Sequence, residues 1–239
     1  MANSSKIEWG RLGIEAAAIV LSILLAFWID AWWEGSTERK QEGAILQALL
    51  RDFGEARQQF DKIASDNERL QGNMEQLLHW AEDGSVPEDR RSEVDGMLGS
   101  TFNRKVFDPP SGAVETILGS GRLDLINNTA LVPELTRWTA LVDELREQQM
   151  AVVDHFYETV YPYLAARVNM QDLDKGIPYA GGVPWPQEET DAYQLVRSRD
   201  FHNIIYVHWV LVWNVQGSMP PVDAAIDQIT DIVISEIGE

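Results

Sequence analysis

"IEAAAIVLSILLAFWIDAWWEG", residues 14–35, decides how the rest of the chain is read. Ala16 to Ile29 is a 14-residue run without a charge. That length alone suits a buried core helix, the apolar part of a signal peptide, or a short membrane span. The flanks favour the span. Trp9 precedes the run, and Trp28, Trp32 and Trp33 mark its far end, four of the chain's nine tryptophans. As a helix, Trp9 to Trp32 covers about 35 Å at 1.5 Å per residue. This matches a hydrocarbon core plus part of each interface, where indole rings concentrate. Glu15 and Asp30 then fall near the two interfaces, away from the midplane where a charge costs most. A cleaved signal peptide fits less well. Asp-Ala-Trp-Trp-Glu follows the run without a small-x-small cleavage site, and acids precede it. The expectation is an uncleaved transmembrane helix over 13–33, behind a tail of residues 1–12.

The span carries a patterned face. Ala18, Ser22 and Ala26 recur every fourth residue, Asp30 continues the row, and Glu15 begins it. Small residues at this spacing let a second membrane helix approach closely. The acids at either end favour a partner or water over lipid. Trp9, Trp28, Trp32 and Trp33 are the expected interface anchors. Orientation is finely balanced, with Lys6, Arg11 and the amino terminus before the span and Arg39 and Lys40 after it. The short basic tail and the acidic bulk downstream lean towards the amino terminus inside and the domain outside the cytoplasm.

Beyond the span, residues 34–239 read as one acidic helical domain. The whole chain has 239 residues and a net charge of −19, from 38 acidic and 19 basic side chains. Such a domain is repelled by nucleic-acid phosphates and anionic headgroups, which disfavours nucleic-acid binding, and no nucleic-acid partner is expected. With no cysteine there is no disulfide, thiolate or cysteine-ligated metal chemistry.

The strongest periodic signal lies at about 40–81. Leu46, Leu49, Phe53, Ala56, Phe60, Ile63, Asn67, Leu70, Met74, Leu77 and Ala81 alternate spacings of three and four. This is a heptad seam, with Asn67 as a polar register-setter. It packs either within the chain, which short connections favour, or against a second copy. Gly35-Ser36 is either a joint or a solvated turn within a continuing helix. "EDGSVPED", 82–89, and "FDPPSG", 107–112, are loop signals, with a short helix expected near 88–98. A short helix ends at Thr116–Leu118, and Gly119-Ser-Gly121 turns the chain. A second long helix starts near Ala130 on Leu131, Leu135, Trp138, Val142, Leu145, Val152, Phe156 and Val160, interrupted by Gln149 and kinked or closed at Pro162. Residues 169–190 read as an irregular loop. "IIYVHWVLVWNV", 204–215, is too short and too polar for a second span. It reads as a core helix within an element over about 191–216, or as a strand. Pro220-Pro221 then opens a separate closing helix striped by Val222, Ile226, Ile229, Val233 and Ile237. The fold expected is all-α: one transmembrane helix and a bundle of three or four long helices.

No catalytic constellation emerges. None of His79, His155, His202 and His208 forms an i, i+4 zinc pair. Glu158 lies three residues after His155, which equally describes a solvated helix pair. "LGSGRLDLI" lacks the pattern of a phosphate loop or a nucleophile elbow. No enzyme activity, cofactor or metal is expected.

"IEAAAIVLSILLAFWIDAWWE", the heptad helix and "AVETILGSGRLDLINNTALVPELTRW" together resemble a bacterial family of single-pass, membrane-anchored helical proteins known only as a domain of unknown function. The resemblance rests most on Ile29-Asp30-x-Trp32-Trp33-Glu34 and Ser120-Gly121-Arg122-Leu123-x-x-Ile126. It implies a membrane-anchored helical domain and no known activity. Pro133 stands where it would shorten the start of the following helix. The function expected is a non-enzymatic accessory or scaffolding subunit of a respiratory, photosynthetic or transport complex, with integral-membrane subunits and the bilayer as partners. The alternative is an anchored sensory or ligand-binding module with a pocket near Trp209 and Trp213.

Overall fold

The computed structural model describes residues 9–102, 105–119, 126, 128–173 and 192–238, with the side chains of residues 9–16 and of Gln171 outside that set. Among the described residues there is no strand. The elements are α1 (Trp9–Asp83), a 3-10 turn (Glu88–Arg90), α2 (Arg91–Ser100), α3 (Gly112–Gly119), α4 (Leu131–His155), a π turn (Phe156–Val160), α5 (Tyr161–Ala165), α6 (Met170–Leu173), α7 (Ala192–Leu195) and α8 (Arg199–Gly238).

α1 is a single helix of 75 residues, about 110 Å long at 1.5 Å per residue. Gly35-Ser36 is not a joint; it lies in one turn of a continuing helix. Helix-favouring neighbours and local bonds carry it across: the Thr37 hydroxyl donates to the Trp33 carbonyl (2.9 Å) and Arg39 Nε to that of Gly35 (3.1 Å). The helix ends at Gly84, whose φ of 68° lies in the left-handed region open to a residue without Cβ.

Three long helices make the body. The second part of α1 lies antiparallel to α8, because Arg57 meets Asp223 and Asp227 while Glu75 meets Trp209. α4 also lies antiparallel to α8: Asn128 bonds Glu236 at one end and His155 meets His208 near the other. The heptad positions of α1 supply one side of the core. Leu46, Leu49, Phe53, Ala56, Phe60, Ile63, Leu70, Met74 and Leu77 are buried against the other helices of the same chain. Asn67 is half-buried and directs its amide towards Met219 Sδ (3.8 Å). Aromatic rings lock the layers, with Phe53 against Trp138 at 5.0 Å and Phe107 edge-on to Phe60 and Trp138. Each such ring pair adds about 0.5–1.5 kcal/mol beyond its burial.

The smaller elements close the ends. The 3-10 turn and α2 together occupy the stretch where a short helix is expected. Phe107 lies in the core, and its N–H donates to Gln149 Oε1 (2.8 Å). Gln149, the interruption in the α4 stripe, therefore satisfies a buried backbone donor. α3 starts at Gly112, where the Ala113 N–H donates to the Asp52 carboxylate (3.0 Å), a favourable charge at a helix amino terminus. The turn residues Ser120, Gly121, Arg122 and Leu123 and residues 174–191 lie outside the described set.

Proline reads differently here from the sequence expectation in two places. Pro133 does not shorten α4: the helix starts at Leu131, so Pro133 falls in its first turn, where an N–H has no intrahelical acceptor. Pro220-Pro221 does not open a new helix; both lie inside α8, which is continuous over 40 residues. Both prolines are exposed while Met219 and Val222 beside them are buried. Packing against α1 thus holds the path where two backbone bonds are missing. At the end of α4, Pro162 does perturb the helix. The chain widens into the π turn just before it, because Pro162 cannot donate to the Glu158 carbonyl and its ring presses on that turn.

Candidate functional site

Two features stand apart from ordinary core packing: the uncovered part of α1 and a histidine pair inside the body.

From Ala17 to Glu34 every side chain of α1 is exposed, and Glu42 is the first buried one. Leu21 (66% exposed), Phe27 (68%) and Trp33 (69%) face outward, and Ile19, Leu24 and Leu25 are similarly exposed. α1 is the one helix among the described residues that is long and apolar enough to cross a membrane, and none of its apolar window is buried. A soluble core helix would bury one face; this one buries none. Ala18, Ser22, Ala26 and Asp30 lie on one exposed row, with the Ser22 hydroxyl donating to the Ala18 carbonyl (2.7 Å). That bond satisfies the hydroxyl within its own helix and leaves a narrow, nearly flush strip. Trp28, Trp32 and Trp33 are exposed at the far end. The side chains of Trp9 and Glu15 lie outside the described set.

Between Glu34 and Lys40 α1 is a polar, largely exposed rod of seven residues, about 10 Å long. The body is thus joined to the apolar length by continuous helix, with the carboxyl end of α8 on the same side as the rod.

The second feature was not legible from spacing. His155 and His208 are 53 positions apart, on α4 and α8, yet their Nδ1 atoms are 3.1 Å apart and the rings lie 24° from parallel. His208 is wholly buried and its Nε2 has no partner. One Nδ1 must donate and the other accept. His208 is the better donor, since its buried Nε2 is then a bare lone pair and not an unsatisfied N–H. Burial first, and the neighbouring His155 second, push His208 down to about 3. His155 is also lowered by burial, against the opposing pull of Glu158. Both rings are therefore neutral at pH 7. Glu158 is exposed, and no group of three or more metal-ligating side chains forms among the described residues.

Where a pocket is expected near Trp209 and Trp213, the described residues place the two indoles differently. Trp213 points outward (57% exposed), and Trp209 is half-buried with its Nε1 donating to Glu75 (3.1 Å). A small cavity does lie among Asn67, Leu70, Gln149, Val152, Val212 and Val215, with neither indole in its wall.

No family model, no curated protein and no solved structure matches the chain.

Proposed function

We propose that the chain is a single-span protein of a bacterial inner membrane, with its acidic bundle on the periplasmic side, and that it serves as a non-enzymatic accessory or scaffolding subunit of a larger integral-membrane assembly. One observation carries the reading: an apolar helix with no covered face runs without interruption into a well-packed body. Leaving that many Leu, Ile and Phe side chains in water costs about 1.5–3 kcal/mol each relative to burial. A bilayer removes the cost, and the tryptophans at the far end suit its interface. The strip of Ala18, Ser22 and Ala26, ended by Asp30, supports contact with a second helix. Without a span-associated partner the rigid rod would have no evident use, because an anchor alone needs no continuous helix beyond the headgroups.

Replacing Ala18, Ser22 and Ala26 together by leucine tests this reading. Bulk on the strip keeps the helix apolar, so membrane insertion survives while close approach does not. The expected result is at least a tenfold loss of co-purifying membrane subunits in mild detergent, equivalent to about 1.4 kcal/mol. Unchanged co-purification overturns the docking role of the span.

A further inference from the structure

From Phe201 to Val222, α8 carries no charged side chain, 22 residues in a chain that is 24% charged. Its inner side is core. Its outer side is not covered: Tyr206 is 50% exposed, Val207 45% and Trp213 57%, and Asn203, Asn214 and Pro221 lie exposed beside them. The face is stiffened by stacking of Tyr206 on Trp209 (6.1 Å) and of His202 on Tyr206 (6.3 Å). Exposed tyrosine and tryptophan on a charge-depleted surface are the composition of an interface core.

Exposed carboxylates line both rims, and Arg199 and Asp200 stand at the amino end of the face. Contacts of Trp209 with Glu75 and of Arg57 with Asp223 place α1 along one edge. There Glu68, Glu75 and Glu82 are exposed. The contact of His155 with His208 places α4 along the other edge, where Glu144 and Glu158 are exposed. The basic residues of the same stretches are engaged elsewhere. Arg69 pairs with Asp66, which also takes Lys105, and Arg146 pairs with Asp108 and Asp143.

We propose that this face of α8 docks a helix of a partner subunit, apolar along its seam and flanked by lysine or arginine. The inference deepens the accessory-subunit reading and rests on it for the presence of a partner. An apolar seam covers Tyr206, Val207 and Trp213, and flanking cations meet the two acidic rims. A second copy of the chain is a poor occupant, because its acidic rims would face these. Anionic lipid is repelled for the same reason.

The test places a photo-crosslinking amino acid at Val207 or Trp213 of the full chain in its native membranes, with Glu115, exposed on α3, as the control position. The expected product joins either α8 position, and not the control, to an apolar segment flanked by Lys or Arg. Crosslinks only to a second copy, only to lipid, to an acidic segment, or none above the control overturn the proposal. As a second measurement, Val207→Glu with Trp213→Glu lowers the co-purifying partner about tenfold with unchanged helical content and melting temperature. Retention of the partner overturns it. If the leucine variants of the span keep the partner and this double variant loses it, the α8 face stands and the span strip falls. The reverse outcome removes the α8 face alone.

Discussion

His208 places a titratable ring where water does not reach, and its behaviour in acid follows from that placement. Its folded-state value lies below the unfolded one of about 6.5, so the unfolded chain binds the proton more readily. The neutral pair's contribution is complete above about pH 6.5 and drains away as the pH falls from there towards 3. By pH 4 the loss attributable to His208 is on the order of 3 kcal/mol. Carboxylates titrate in the same range, so the measurement is a difference: thermal unfolding of the wild type and of His208→Phe from pH 7.5 to 4. The wild type is expected to lose stability more steeply, and parallel curves would remove the pair as the cause. A second residue-scale prediction concerns Gly99. A Cβ there would lie 2.2 Å from the Leu173 carbonyl oxygen, a backbone atom that cannot swing aside. Gly99→Ala is expected to separate α2 from α6 and cost about 1–3 kcal/mol in denaturant unfolding. Neither site was visible in the sequence. The histidines are brought together only by the antiparallel packing of α4 on α8, and Gly99 looks like any helix glycine until Leu173 crosses it.

At the scale of elements, the periodic seam of α1 was legible because a helix buried along one stripe must repeat its apolar residues every three or four positions. Leu49, Phe53, Leu70 and Leu77 follow that rule and lie in the core. Phe53→Ala should lower unfolding stability by about 3–5 kcal/mol, because Phe53 is 2% exposed and Trp138 cannot fill the gap it leaves. Proline was harder to read. It reports a missing donor, not whether packing will hold the path regardless. In α8 the exposed Pro220-Pro221 pair removes two backbone bonds without ending the helix, whereas before Pro162 the helix yields by widening. Replacing both Pro220 and Pro221 by alanine is accordingly expected to raise the melting temperature, since the carbonyls of Gln216 and Gly217 regain donors and no buried contact is lost. A lower melting temperature would mean that the prolines set a bend the packing needs.

At the scale of the whole molecule, the all-α class, the heptad helix and the apolar segment were legible because each is a local pattern of composition. The unbroken passage from apolar length to bundle was not, since Gly35-Ser36 resembles a turn and only the continuous helix resolves it. That continuity joins the apolar length and the body in one helix. The charge-free face of α8 was half legible: its apolar run showed in the sequence, but the acidic rims belong to α1 and α4 and emerge only from packing. The central claim is that residues 13–33 lie in a bilayer and are not an exposed rod in water. Alkaline-carbonate washing of native membranes followed by flotation on a density gradient tests it most directly. The full chain is expected to stay with the floating lipid, and a chain starting at residue 34 to remain in the soluble load. Recovery of the intact full chain in the soluble load would contradict the account.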